Sequence, residues 1–428
     1  MSLQTKSATT QTTAQKIWRK AQGKAVDGIN FTVEELKLIK GLSNAKLAPS
    51  LREVSRPVFV TKGGGVASIS EGAAKGRPGS PAPQEATTSL VHLQKQFAIA
   101  DLVLMIAKMG GNDAMLVNQF KYQLRMAVNS MSEGVGDYFY APSSGIMALT
   151  DTNLSGSTTE CTLYDGYNQS WIDDPAFLAK RFIAGTPGTD DPDYVAVLNS
   201  GSLVTDAVGH VTARNTTTGT ITIDWIGSAP SESTNGLQIV KANSLESTAN
   251  DYNKAFVGLT EILTATSIGG LSGSTYEGWS IAYSDTSGGR LDGTRLEKGL
   301  DAIEDEGGVK ADTVIWSKGV KRDVKAQYKA AVEFNDAYAI PMDGDVKYRG
   351  IEFFSSRRVP PTFACAFQKD ALEKFFWKPT IDEQDGMSES DLLPSEDYTF
   401  QIGRIDLIGN LVPNRRKAFA YWRSLDES

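Results

Sequence analysis

The chain has 428 residues, of which 40% are hydrophobic and 22% charged, so it can bury a sizeable core divided among about two to four domains or subdomains. No stretch approaches the roughly 18 apolar residues of a membrane span, and residues 1–13 lack the apolar core of a secretory signal, which predicts assembly in a cytoplasm without a membrane. Cys161 and Cys365 lie far apart without a CxxC pair, which predicts two buried free thiols rather than a disulfide or a zinc site.

The charge is unevenly distributed along the chain. Residues 1–80 contain 13 Lys or Arg and 5 Asp or Glu, a net +8, so the remainder must carry −16 to give the total of −8. Non-specific affinity for DNA comes mainly from Lys and Arg that displace counterions from phosphates. The acidic body therefore argues against tight, sequence-specific DNA binding.

Residues 1–56 are predicted to form an arm with short helices. Thr32 and Glu35 have the spacing of a capping box, and Val33, Leu36 and Ile39 predict an amphipathic helix of about two to three turns. Its apolar stripe needs a partner, because a helix of this length is marginal alone. The sequence leaves two alternatives open: packing on the chain's own body, or docking on a neighbouring subunit or a separate scaffold protein.

Residues 57–96 are predicted to form a long hairpin, with β-prone stretches at 58–61 and 87–93 around a glycine- and proline-rich interval. Because a two-stranded ribbon is marginal in water, we expect it to lie on another subunit. The residues expected to make that contact are Lys62, Gly63, Gly64, Gly65, Lys75 and Arg77. The triple glycine lacks the following Gly-Lys-Ser/Thr of a phosphate-binding loop, so no nucleotide site is predicted.

Residues 97–140 contain a strong helix signal after Gly110 and Gly111. The helix is predicted from about Asp113 to Glu133, capped by Asn112 and ended by Gly134 and Gly136. Apolar residues recur on one face at intervals of three or four, which is typical of a core-facing stripe. They are Val117, Phe120, Leu124, Ala127 and Met131.

Residues 141–255 are rich in Ser, Thr, Gly, Asn and Asp and predict a β-rich insertion, with strands at 194–198, 218–224 and 237–241. Asp190, Asp191 and Asp193 lack the ligand spacing of a calcium loop and are interpreted as a solvated acidic loop, so no metal site is predicted.

Residues 256–343, 344–412 and 413–428 show a mixed pattern of helices and strands. Thr294 begins a helix that Gly307 and Gly308 end, the strand 313–316 follows, and Ser317 caps a second helix. Further strands are predicted at 346–348, 351–354, 363–367, 375–377, 398–407 and 418–422. The pattern predicts a mixed sheet with helices packed on it.

Candidate catalytic groups are few and scattered. The two histidines, His92 and His210, have no spacing that suggests a catalytic triad or metal ligands. Carboxylate pairs such as Glu304 with Glu306 and Asp343 with Asp345 are expected by chance among 51 acidic residues. We predict no catalytic, cofactor-binding or metal-binding residues, and therefore no enzyme.

The order of these elements resembles that of the tailed-phage major capsid proteins of the Hong Kong 97 type. The segments that carry the likeness are QKQFAIADLVLMIAK and NQFKYQLRMAVNSMSEGVGDYFY, then VTARNTTTGTITIDW and FVGLTEIL, and then RLEKGLDAIEDEGGVKADTVIWSKGVKRDV and GDVKYRGIEFFSSRRVPPTFACAFQKDALEKF.

The resemblance implies an α+β fold in seven parts. They are an N-terminal arm (1–56), an extended loop (57–96), the spine helix of a peripheral domain (97–140), a β-rich insertion (141–255), an axial domain (256–343), peripheral strands that return to the axial domain (344–412) and a C-terminal axial strand (413–428). Among family members, one crosslinks its subunits through Lys and Asn, but Lys62 and Lys75 have no matching Asn and Glu context here.

The family's role implies self-assembly as hexamers and pentamers, in a virion capsid built in the host cytoplasm. The implied partners are a portal protein, a scaffold protein, a decoration protein and packaged double-stranded DNA bound without sequence specificity. Two other functions stay open. An encapsulin-like nanocompartment shell is typically shorter and lacks the basic arm and the insertion, and a surface-layer protein or adhesin needs an export signal.

Overall fold

The computed structural model describes residues 34–45, 53–58, 83–100, 113–187, 192–226, 230–232, 236–242, 252–332, 348–376, 393–394 and 400–427. They form two compact units that both contain helix and strand, so the predicted α+β class is confirmed. The first unit comprises Met1–Gly41, Leu90–Asp137 and Phe376–Asn410, and the second comprises Leu42–Ser89, Tyr138–Phe375 and Leu411–Ser428. No helix within these ranges is long and apolar enough to cross a membrane.

The first unit contains helix α1 (Glu34–Gly41) and a long antiparallel strand pair. Strand β4 (Val91–Ala100) pairs with β19 (Phe400–Pro413) over ten residues, and β18 (Leu393–Pro394) pairs with the start of β19. The predicted amphipathic helix is confirmed by α1, whose Leu36, Leu38 and Ile39 are buried by the chain itself. This burial favours packing on the chain's own body over docking on another protein.

Helix α2 (Asp113–Tyr138) begins where predicted but is longer than predicted. The expectation that Gly134 and Gly136 end it is wrong, because the helix continues through both. Met131, Val135 and Tyr138 are buried at helical spacing across these glycines. Packing of that face offsets the intrinsic cost of a helical glycine, which is about 1 kcal/mol.

A closed, six-stranded antiparallel barrel lies in the second unit. Its strands are β5 (Ile146–Thr150), β6 (Thr158–Tyr164), β7 (Tyr194–Asn199), β8 (Ser202–Asn215), β9 (Thr220–Trp225) and β10 (Leu237–Ala242), in the order β10-β5-β6-β9-β8-β7. The three predicted strands are confirmed as β7, β9 and β10. Closure through the β7–β10 pair leaves these six strands without a free edge.

One face of every barrel strand is buried. The register pairs Cys161 with Ile221 and Val211 with Ile223, and all four side chains are inaccessible to solvent. Helix α3 (Pro175–Ala179) packs beside the barrel and is capped by Asp174, whose carboxylate accepts a hydrogen bond from the Phe177 amide at 3.0 Å.

A five-stranded mixed sheet forms the second core of this unit. Its strands are β13 (Tyr283–Asp285), β14 (Thr313–Trp316), β15 (Glu352–Phe354), β16 (Ala364–Phe367) and β20 (Phe419–Trp422), in the order β13-β20-β16-β14-β15. The inner pairs are antiparallel and the outer pairs parallel, which confirms the predicted mixed sheet.

Helices α5 (Gly293–Gly307) and α6 (Lys318–Val332) pack on this sheet. Asp292 caps α5 through the Arg295 amide at 2.7 Å, and Gly308 ends it in the left-handed conformation, with φ 64°. Ser317 caps α6 as predicted, because its hydroxyl accepts from the Val320 amide at 3.2 Å. The shared core contains Leu296, Leu300, Ile303, Trp316, Val320, Val324 and Trp422.

The second unit also contains a short antiparallel ribbon and several smaller elements. Strand β2 (Glu53–Val58) pairs with β3 (Gln84–Ser89) to form the ribbon, and β11 (Ser267–Ile268) pairs with β12 (Leu271–Ser272). Helix α4 (Leu259–Thr264) precedes β11. Strand β1 (Ser43–Asn44) pairs in parallel with β17 (Leu372–Phe376).

Several predicted strand boundaries are wrong. The first hairpin strand was predicted to begin at Val58, but β2 begins at Glu53, within the predicted arm. The strand predicted at 375–377 corresponds to β17, which begins at Leu372. The predicted strand 87–93 is divided at Leu90 between β3 and β4, which pair with different strands. The predicted strand 398–407 corresponds to β19, which continues to Pro413 because Leu411 and Val412 are buried as well.

Candidate functional site

The β2–β3 ribbon is the described base of the predicted hairpin. Its register pairs Val54 with Thr88, Arg56 with Ala86 and Val58 with Gln84, so these residues share one face. Val54, Val58 and Ala86 are buried, and Val58 and Ala86 form an apolar cluster with Leu271 and Trp279. The expectation that the ribbon lies on another subunit is therefore wrong for this base, which packs on its own unit.

Hydrogen bonds fix the β3 side of the ribbon to the same unit. The Thr87 amide donates to the Gly269 carbonyl at 3.0 Å, and the Tyr276 hydroxyl donates to Gln84 Oε1 at 3.4 Å. Gly269 has a φ of 61°, and a Cβ there would lie 3.2 Å from that of Ala86. The close approach of the two segments thus favours glycine at this position.

An ion pair fixes the β2 side. Arg56 Nη2 lies 2.7 Å from Glu373 Oε1, and the Asn414 side-chain amide donates to the same oxygen at 3.2 Å. The Arg56 side chain is 32% exposed, whereas that of Glu373 is 6% exposed. Burial raises the pKa of Glu373, and the Arg56 charge partly offsets that shift.

The residues predicted to contact a neighbour lie outside the described residues. This holds for Lys62, Gly63, Gly64, Gly65, Lys75 and Arg77. On the long helix, the side chains of Val117, Phe120 and Leu124 are also outside the description. Ala127 and Met131 are buried, so the predicted core face is confirmed for these two positions.

The titratable groups weighed for catalysis are scattered where the structure describes them, and Asp343 and Asp345 lie outside the described residues. His92 is exposed on β4, and His210 Nε2 lies 3.9 Å from Asp224 Oδ2 across β8 and β9. Glu304 pairs with Lys310 and Glu306 with Lys417. Asp193 pairs with Lys241 at 3.3 Å, while Asp190 and Asp191 lie outside the described residues. Within the described ranges, three or more potential metal ligands do not cluster.

Sequence reasoning missed basic residues that the fold buries wholly or in part. Arg416 donates to the carbonyls of Ile262, Ala265 and Trp279 at 2.6–3.2 Å, and burial lowers its pKa to about 10. Arg56 was also missed, although a signal was present. Val54, Arg56 and Val58 alternate along a strand, so Arg56 occupies a position on the apolar face.

Comparisons with known proteins identify the fold. No family model matches the sequence, and no curated protein matches it either. Among solved structures, a chain of the cyanophage A-1(L) capsid asymmetric unit has a TM-score of 0.51 and 12% identity, covering 92% of this chain and 94% of that chain. Two further matches are weaker. The match to Mycobacterium phage Bobi has a TM-score of 0.40 and 11% identity, covering 91% of this chain and 90% of that chain. The match to the satellite phage P4 procapsid that includes the Sid protein has a TM-score of 0.39 and 8% identity, covering 95% of this chain and 91% of that chain. The fold is that of a phage capsid chain.

Proposed function

We propose that this chain is the major capsid protein of a tailed phage, which self-assembles as hexamers and pentamers into an icosahedral head around double-stranded DNA. The observation that carries the proposal is the fold shared with a phage capsid chain over 92% of the present chain. The sequence resemblance, which rests on the order of elements, supports the same role independently.

The proposal includes the Hong Kong 97-type layout. The long helix α2 would be the spine of the peripheral domain, the β2–β3 ribbon the base of the extended loop, and the mixed sheet with α5 and α6 the axial domain. The barrel formed by β5–β10 would be the insertion. Buried Ala127 and Met131 on α2 and the core shared by α5 and α6 support this assignment.

The proposed mechanism is mechanical. Each subunit holds the base of its hairpin on its own unit, and residues 59–82, with Lys62, Lys75 and Arg77, would contact a neighbouring subunit. Single contacts of this kind are weak, but a closed symmetric shell repeats each of them many times. Assembly is thus the activity that we assign to the chain, with no catalytic step.

The proposed partners follow from this role. They are other copies of the chain, a portal protein, a scaffold protein, a decoration protein and DNA packaged without sequence specificity, in a virion assembled in the host cytoplasm. The acidic body supports non-specific confinement of DNA over tight binding, because its net charge of −16 repels the phosphate backbone.

Electron microscopy of the purified full chain tests the proposal. We expect closed shells, tubes or capsomers at high protein concentration. A chain that stays monomeric under these conditions would contradict the proposed function. Particles from the natural host separate the two shell alternatives: nuclease-resistant double-stranded DNA inside supports a phage head, and an enzyme cargo without DNA supports a nanocompartment.

A further inference from the structure

Arg56 is the charged residue on the inward face of the β2–β3 ribbon, where most of the buried side chains are apolar. The inward face alternates Val54, Arg56 and Val58 on β2, opposite Thr88, Ala86 and Gln84 on β3. Val54 and Val58 are buried and Arg56 is about one-third exposed. Apolar packing alone would favour an aliphatic residue, and not an arginine, at the central position.

Glu373 provides a matching charge on β17. Its Oε1 lies 2.7 Å from Arg56 Nη2 and accepts a hydrogen bond from the side-chain amide of Asn414 at 3.2 Å. Its Oε2 is buried and has no hydrogen-bond partner among the described residues. Among the described residues, Arg56 is the cation that pairs with this buried carboxylate, and without Arg56 the carboxylate would be left as a buried charge with no cation to pair with it.

A buried ion pair of this kind selects one arrangement among several. Moving the ribbon by two residues would keep valines facing inward but place Val54 or Val58 opposite Glu373, and a one-residue shift would turn Arg56 to the other face. Both shifts leave the carboxylate unpaired, which is strongly unfavourable. The ion pair therefore acts together with apolar packing against both shifts, because a two-residue shift also moves Arg56 into a buried valine position and a one-residue shift turns Val54 and Val58 away from the core.

We propose that Arg56 and Glu373 are positioning residues, which fix the register of the ribbon on its unit and so aim the hairpin for contact with a neighbouring subunit. This inference rests on the proposed function for its consequence in assembly. The register itself can be measured on the unassembled full chain.

Hydrogen exchange of the full chain, measured by mass spectrometry at low protein concentration, tests the register. In Glu373→Gln and Arg56→Gln, we expect the amides of residues 84–89 to exchange roughly tenfold faster than in the wild type, with the amides of β16 unchanged. Glu304→Gln is the matched control, because Glu304 forms an exposed pair with Lys310 at 3.5 Å and should not affect the ribbon. Glu373→Gln keeps the test valid if Arg56→Gln does not fold, because it removes the buried carboxylate and leaves unpaired only the partly exposed Arg56.

A double variant separates positioning from simple stabilisation. Arg56→Met/Glu373→Leu leaves no buried charge, so we expect its urea midpoint to return to the wild-type value or above it. The ribbon should still exchange rapidly, and the yield of closed particles should remain low. Wild-type ribbon exchange in either single variant, or wild-type exchange and particle yield in the double variant, would overturn the proposal. If the wild type forms no shells but the single variants show faster exchange, the proposed function fails and the positioning role stands.

Discussion

The two cysteines are fully buried, one in the barrel wall and one in the central strand of the mixed sheet. Burial raises the pKa of Cys161 to about 12 and raises that of Cys365 as well. Because the thiolate is the reactive form, neither thiol is a competent nucleophile at neutral pH.

We therefore expect neither cysteine to react with an aromatic disulfide reagent in the native chain, and both to react once urea unfolds it. Cys161→Ala and Cys365→Ala assign the two reactions, so that each thiol reports the opening of its own sheet. Rapid modification of either thiol without denaturant would show that its surroundings are more open than described.

Asp285 gives the stability of the mixed sheet a predictable dependence on pH. Burial alone would raise its pKa, but hydrogen bonds from Ser287 and the Arg295 guanidinium, at 2.8 Å, lower the pKa to about 2. A carboxyl whose folded pKa is lowered stabilises the fold above its unfolded pKa, and this contribution disappears as the pH falls towards the folded value.

Asp285→Asn should accordingly lower the free energy of unfolding by up to about 2 kcal/mol at pH 7. The difference from the wild type should shrink between about pH 4 and pH 2, which urea titrations across this range can measure. Asp305→Asn on α5 is the control, because that carboxylate is exposed. An Asp285→Asn deficit that stays constant down to pH 2 would contradict the assigned ion pair.

At the level of elements, the sequence predicts local structure well. Helix α5, strand β14 and the Ser317 cap are each encoded by periodicity and capping within about 15 residues, and all three are confirmed. Barrel closure was not predicted, because it depends on β10 pairing with both β5 and β7, and β5 lies far from β10 in the chain. The same limit applies to the candidate site: the alternation of Val54, Arg56 and Val58 is visible in the sequence, but its partner Glu373 lies more than 300 residues away.

Helix α5 packs so closely on β20 that one of its glycines has no room for a side chain. A Cβ on Gly299 would overlap the buried indole of Trp422, whereas a Cβ on Gly293, at the start of the same helix, would meet nothing within 4 Å. Gly299→Ala should therefore destabilise the unit by about 1–3 kcal/mol, as overpacking does. Gly293→Ala should be neutral or stabilising by up to about 1 kcal/mol.

Unfolding in urea, followed by tryptophan fluorescence, measures both glycine variants. The expected signs are opposite within one helix, so general effects of alanine on helix propensity cannot explain the difference. Equal midpoints for Gly299→Ala and Gly293→Ala would contradict the close packing of α5 on Trp422.

Two methionines on α2 provide a matched test of its buried face. Met131 is 6% exposed and Met126 is 50% exposed. Met131→Asp would bury an unpaired carboxylate and cost several kcal/mol, a large fraction of the roughly 5–15 kcal/mol that stabilises a domain. Met126→Asp places the same charge in solvent and should leave the helix intact. Circular dichroism and soluble yield distinguish the two, and similar losses in both variants would show that the buried face of α2 is assigned wrongly.

At the level of the whole molecule, the proposed function predicts that folding and assembly depend on different parts of the hairpin. Its base packs on its own unit through the ribbon, the apolar cluster with Trp279 and the Arg56–Glu373 ion pair. The segment from Gly63 to Pro83 lies beyond the last described pair of the ribbon, Val58 with Gln84.

Deletion of residues 63–83 should therefore leave a soluble, folded subunit. The deletion joins Val58 to Gln84 through Phe59, Val60, Thr61 and Lys62, and a connection of this length is within the two to five residues that are common in hairpins. Circular dichroism and the urea midpoint should match the wild type, whereas closed particles should be absent from electron micrographs.

Replacing the segment with a flexible Gly-Ser sequence of equal length is the control, since it keeps the spacing but removes Lys75 and Arg77. We expect it to fold and to assemble poorly, because the side chains proposed to contact the neighbour are missing. Normal closed particles from the deletion variant would mean that the hairpin does not hold adjacent subunits together.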